Sequence, residues 1–200
     1  MNLVERAKNI LLAPAKEWEV IKKEQLSTAD MFLKYAVILA AIPAIAGFIG
    51  QSLIGRSVWG VHFNVPIGNG LFWAILMYVL GLAGLYLLAF VIDVLAPSFG
   101  AKKDMNASLK VAIFSYTAAW IAGIFNLIPA LSVLAILGSL YSLFLLYLGL
   151  KIVKEPPADK LIGYFVVALI VMVVVYFVIG LIVSSIALGG IASVGGFRAY

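Results

Sequence analysis

The chain reads as an all-α, polytopic transmembrane helical bundle with five spans, preceded by an amphipathic interfacial helix. Of its 200 residues, 64% are hydrophobic and only 12% are charged, whereas soluble domains carry about 25% charged residues. The apolar residues gather in five long runs, at positions 31–54, 70–96, 109–128, 130–150 and 161–188. Each run is long enough to cross about 30 Å of hydrocarbon, which takes about 20 helical residues. Lys and Arg alternate between rich and poor in the connecting loops, and that alternation orients the bundle.

Lipid leaves unpaired backbone groups costly, so a spanning chain is either helical or a closed barrel. Barrel strands show apolar–polar alternation over about 10 residues. Here the runs are continuous and about twice that long, which selects helices. The net charge of +5 does not point to nucleic acid, because the basic residues flank apolar runs and form no stripe interleaved with aromatics. Anionic lipid headgroups are the expected partner instead. Cysteine is absent, which excludes disulfides and thiolate chemistry. Glu5, Arg6 and Lys8 interrupt the first apolar positions, so the start does not read as a secretory leader.

Residues 1–27 form a segment of their own, expected to be cytoplasmic. Leu3, Ala7, Ile10 and Leu11 share one helical face. Pro14 suits the first turn of a second short helix, in which Trp18 and Ile21 share a face. The basic residues Arg6, Lys8, Lys22 and Lys23, with Trp18 and Ile21, are the candidate membrane-interface contacts, the pattern of a helix lying flat in the headgroup region. The other reading of the same face is a helix pair packed on protein. Ser27 through Asp30 resembles a capping box that opens the first span, and Pro43 is a candidate kink within it.

The five-span domain occupies residues 28–188. Positions 55–69 form a loop with Gly55, Gly60, Pro66 and Gly68, in which Trp59 and Phe63 are expected interfacial aromatics. The second run is about 40 Å long as a helix and so tilts or protrudes. Pro97 and Gly100 end it, and a short basic loop follows. Residues 109–150 would make a helix of about 63 Å, two membrane thicknesses, so Asn126 and Pro129 near its middle mark a tight turn between spans three and four. Glu155-Pro156-Pro157 separates span five. Residues 189–200 are expected to be a flexible, Gly-rich extracytoplasmic tail. Twelve of the 14 Lys and Arg residues fall on the N-terminal side of this topology and two, Arg56 and Arg198, on the other. The positive-inside rule then puts the N-terminus in the cytoplasm and the C-terminus outside.

Reactive groups are scarce. His62 is the only histidine, so no histidine-based metal set or triad can form. No Walker loop, EF-hand or dinucleotide fingerprint is present, and neither a cofactor nor a metal is expected. Asp93 is the one acid inside a span. Intramembrane acids often serve function, but Asp93 lies about one turn from the cytoplasmic end, within reach of headgroups or of Lys102, Lys103 or Lys110. Gln51, Ser115, Tyr116, Thr117, Asn126, Ser139, Tyr141 and Ser142 are the other embedded polar residues. Interhelical hydrogen bonding is their ordinary role. Asp93, Tyr116, Asn126 and Tyr141 form the candidate intramembrane polar site. Small residues four apart recur, as in Ala46/Gly50, Ala118/Ala122, Ala119/Gly123 and Gly138/Ser142. They permit close helix packing within one chain or between copies.

Pro14…Trp18…Ile21…Glu24 ahead of the first span, Tyr116…Pro129, the run Tyr141-Ser142-Leu143-Phe144-Leu145-Leu146-Tyr147-Leu148-Gly149-Leu150, and Asp159-Lys160 together resemble the prokaryotic Yip-domain family of integral membrane proteins. The resemblance implies a five-span fold with a cytoplasmic N-terminus, in the cell membrane of a prokaryote. Eukaryotic relatives contact small GTPases of the Ypt/Rab type; this sequence lacks their long cytoplasmic N-terminal region and the motif of the Asp-Leu-Tyr-Gly-Pro kind within it. The expected function is therefore non-enzymatic: organising membrane lipid or recruiting partners, including further copies of the chain or other membrane proteins. The alternative is a small transporter or channel using Asp93 and the polar patch of spans three and four.

Overall fold

A computed structural model describes residues 2–58 and 61–194. Trp59 and the last six positions of the expected tail, Arg198 among them, lie outside these, as do the side chains of residues 56–58, 61, 62, 184 and 186–194, Arg56 and His62 among them. Among the described residues, five helices are long and apolar enough to cross a membrane: Thr28–Ile54, Ile67–Phe99, Met105–Leu127, Leu134–Lys154 and Ala158–Val183, spans one to five. Two short helices, α1 (Leu3–Leu12) and α2 (Pro14–Lys23), precede them. The fold is the expected all-helical bundle, with one addition. Arg56–Val58 (β1) and Val61–Phe63 (β2) pair antiparallel in the loop between spans one and two.

Local chemistry sets each boundary. Asn2 caps α1 by accepting from the Val4 and Glu5 N–H groups, Pro14 opens α2, and Ser27 caps span one by accepting from the Asp30 N–H at 3.0 Å. Span three begins at Met105, where the Asp104 side chain accepts from the Ala107 N–H at 3.1 Å. The turn between spans three and four runs through short 3-10 segments, Gly123–Leu127 and Pro129–Leu131, before Leu134 starts span four. The final helix continues past span five to Val194, so its last residues, 189–194, overlap the start of the expected tail.

Span three is central: 72% of its most apolar stretch is buried in protein, against 28% or less for the others. Close approach around it depends on glycine. A Cβ at Gly50 would stand 2.0 Å from the Asn126 carbonyl oxygen, and one at Gly123 would stand 2.5 Å from Pro43 Cβ. These two contacts join spans one and three, with the Pro43 ring seated against Gly123. A Cβ at Gly138 would meet Ala122 Cβ at 2.2 Å and the Ala118 carbonyl at 2.7 Å, which joins spans three and four. The small-residue pairs therefore work inside this chain. Gly138→Val is expected to wedge spans three and four apart at a cost of about 1–3 kcal/mol, read as a lower melting midpoint in detergent. An unchanged midpoint would show that this contact does not limit packing.

Span three is also broken. Its helix stops at Ser115 and resumes at Thr117. Ser115 Oγ donates to the Val111 carbonyl and Thr117 Oγ1 to the Phe114 carbonyl, while the Ala119 N–H donates across to Ser142 Oγ at 2.9 Å. A side chain from span four thus enters the hydrogen-bond ladder of span three, a recognised cause of helix kinks.

Candidate functional site

The four residues of the expected polar site lie in three different places. At one end of the bundle Asp93 is 5% exposed. Its Oδ1 accepts from the Asp104 N–H at 2.7 Å and from Ser108 Oγ at 3.3 Å, and lies 3.6 Å from Lys154 Nζ. Lys154, only 4% exposed, also donates to Ser108 Oγ at 3.0 Å and to the Asp104 carbonyl at 3.2 Å. The pair and its hydrogen bonds tie spans two, three and four together. The partner of Asp93 is therefore none of the three lysines expected from the sequence. Lys102 and Lys103 are exposed, and Lys110 turns to the end of α2, donating to the carbonyls of Glu24 and Lys22 at 2.7 and 3.4 Å. There a cation meets free carbonyls at a helix C-terminus.

Tyr141 faces the N-terminal helices, and its hydroxyl donates to the Leu11 carbonyl at 2.8 Å. Helices α1 and α2 form a hairpin laid against spans three and four. Arg6 bridges Glu17 and Glu24 inside it and stands over the Phe114 ring, 5.7 Å from its centroid. Of the six residues expected at the membrane interface, Arg6, Trp18 and Ile21 turn inward: Trp18 and Ile21 are fully buried and Arg6 nearly so. The Trp18 ring lies over Gly149, where a Cβ would come within 2.8 Å of it, and meets Phe114 edge-on at 6.5 Å. Lys22 pairs with Glu155. Lys8 and Lys23 stay exposed, beside the exposed apolar Val4, Leu12 and Val20.

Tyr116 and Asn126 do share a site. Both line a cavity of roughly 1640 Å³ bounded by parts of all five spans, larger than the roughly 300–1,000 Å³ of ordinary small-molecule pockets. The break in span three contributes Ser115 and Tyr116 to its wall, and the Tyr116 and Tyr176 rings lie 6.0 Å apart. Most of the remaining wall is aliphatic or aromatic, and no Asp, Glu, Lys, Arg or His lines it among the described residues. Ile136 and Leu140 of span four and Val173 of span five line the cavity yet are more than half exposed, so the cavity opens sideways between these two spans. Asn69 and Trp73, at the start of span two, belong to the wall as well. Sequence reasoning passes over them because Asn69 falls in the loop and Trp73 is one more apolar position of the second run. Asp93 and Tyr141 are not part of it.

The Yip1 domain profile matches residues 8–182. The chain is 28% identical over 141 residues to the inner membrane protein YohC of Escherichia coli K12, covering 68% of this chain and 72% of that one. The same figures hold for YohC of Escherichia coli O6:H1. No solved structure matches.

Proposed function

The chain belongs to the Yip1 domain family of multi-pass membrane proteins, and from that premise we propose that it organises membrane lipid without catalysing a reaction, by holding lipid in the cavity between its spans. The carrying observation is the cavity itself. It is large, mostly apolar and open to the side, and the described residues of its walls carry a few hydrogen-bonding groups and no charge. A fully apolar ligand would leave those groups unmatched, and a charged solute would be desolvated without a counter-ion. An amphipathic lipid suits both parts of the wall. The similarity to YohC supports placement in an inner membrane. The Lys and Arg bias supports a cytoplasmic N-terminus and an extracytoplasmic C-terminus. Lys8 and Lys23, exposed on the helical hairpin, then meet anionic headgroups of the cytoplasmic leaflet.

A transporter or channel built on Asp93 has no geometric support, because that carboxylate is committed to Ser108, the Asp104 backbone and Lys154 and lies off the cavity. The test of lipid holding uses Gly47 and Gly81, which line the cavity and where an added Cβ meets nothing within 4 Å. Gly47→Phe/Gly81→Phe is expected to leave the detergent melting midpoint unchanged and to reduce co-purifying lipid, counted by native mass spectrometry, by about tenfold. Equal lipid in both forms would sink the reading. Flux of small solutes into liposomes that is lost in Asp93→Asn while the variant keeps its native fold would favour the transporter.

A further inference from the structure

Within the cavity the hydrogen-bonding side chains are unevenly placed, and their placement selects a ligand. Gln51 stands one turn before span one ends, Asn69 lies in the first turn of span two and Asn126 is at the end of span three. Two close contacts bring them to one mouth. Gly50, beside Gln51, abuts the Asn126 carbonyl, and Gly70, beside Asn69, packs so closely on span one that a Cβ there would stand only 1.9 Å from Ser52 Oγ. This mouth is at the end of the bundle remote from the Asp93–Lys154 cluster. Gln51 and Asn69 are exposed at this mouth and Asn126 is half-buried, and none of the three amides makes a side-chain hydrogen bond among the described residues. The serine hydroxyls deeper in the cavity, by contrast, are used by the protein: Ser115 donates to Val111, Ser139 to Ala135, and Ser142 accepts from Ala119.

Resting on the lipid-holding reading above, we infer that Gln51, Asn69 and Asn126 bind the uncharged, hydroxyl-bearing polar end of a glycerolipid of the diacylglycerol class, its acyl chains running into the cavity. Each amide offers two donors and an acceptor, which matches hydroxyl and ester oxygens. A phosphate at the same place would lose water and meet no cation among the described residues of the cavity wall, a costly exchange. The wall of span two from Asn69 to Leu85 is about 24 Å long at 1.5 Å per residue, a depth that accommodates extended acyl chains. Close to the mouth the wall is aromatic, with Phe48, Phe72 and Trp73, the residue types that favour the junction of polar and apolar lipid regions.

The test titrates the purified full chain in detergent with dioleoylglycerol, a phosphatidylethanolamine and a phosphatidylglycerol of the same acyl composition, with bound lipid read by native mass spectrometry. Dioleoylglycerol is expected to bind about tenfold more tightly than phosphatidylglycerol, a difference that a single well-made hydrogen-bonding site supplies. Gln51→Leu/Asn69→Leu/Asn126→Leu is expected to erase that preference while leaving phosphatidylglycerol binding unchanged. Should the triple variant not fold, Gln51→Glu keeps the shape, adds a charge at the mouth and is expected to lower dioleoylglycerol binding by a similar factor. Phosphatidylglycerol binding as tightly as dioleoylglycerol, or a preference that survives both variants, overturns the assignment and leaves the lipid-holding reading in place. Binding of none of the three lipids overturns both.

Discussion

Lys154→Met is expected to destabilise the folded protein by about 3–5 kcal/mol, the cost of removing one partner from a buried ion pair. Lys154 and Asp93 have side chains 1% and 7% exposed, so solvent cannot take over the role of either. With the ammonium gone, the Asp93 carboxylate would keep its bonds from Ser108 and the Asp104 backbone but lose its counter-charge in a low-dielectric setting. Asp93→Asn should cost a similar amount, because it strands the cation. The double variant Asp93→Asn/Lys154→Met removes both charges at once and is expected to recover much of the loss, since a neutral, shape-matched replacement of a buried pair is often near neutral. Thermal unfolding of the four proteins in one detergent gives the coupling directly. Additive losses would mean that the two side chains do not act as a pair, and the cluster would lose its role in fastening spans two, three and four.

That pair also marks the boundary of what the sequence can tell. Hydropathy and length locate the five spans, because a continuous apolar run has no other stable conformation in lipid. Element ends are less legible. The apolar pattern starts span three at Leu109, yet the helix begins at Met105 because the Asp104 side chain caps it, and capping is a matter of backbone geometry that hydropathy does not register. Asp93 stands out as an intramembrane acid, but its partner sits at the end of span four, and only the packing of three helices brings it near. The nearest lysines in sequence lie elsewhere. The same holds for Tyr141, whose acceptor is the Leu11 carbonyl at the other end of the chain. Gln51 and Asn126 are visible as embedded amides, whereas Asn69 joins them only through the contact of Gly70 with Ser52. The apolar face of the N-terminal helices is legible too. Whether lipid or protein covers that face is not a property of periodicity, since both are equally apolar.

Trp18 decides that question here, and Trp18→Ala is expected to release the N-terminal hairpin at a cost of about 3–5 kcal/mol, the usual range for truncating a fully buried Trp. The indole has no exposed surface and fills the hollow that Gly149 leaves on span four, with Phe114 of span three against its edge. Its loss opens a cavity between α2 and both spans, and the remaining ties do not compensate. Lys22–Glu155 is partly exposed, with side chains at 31% and 63%, and such pairs contribute about 0–1 kcal/mol. Hydrogen exchange across residues 3–24 gives the readout: rapid exchange in Trp18→Ala, with spans one to five still protected, is the expected pattern. Gly149→Ala reaches the same end from the other side, because its Cβ would come within 2.8 Å of the ring and push Trp18 out without altering α2. If both variants keep residues 3–24 as protected as the native chain, the hairpin is held by Arg6, Lys110 and Tyr141 instead. If both release it, the small residue at position 149 and the Trp at position 18 act as one joint. The exposed Lys8 and Lys23 are then carried on a helical unit whose attachment to the bundle rests mainly on that joint.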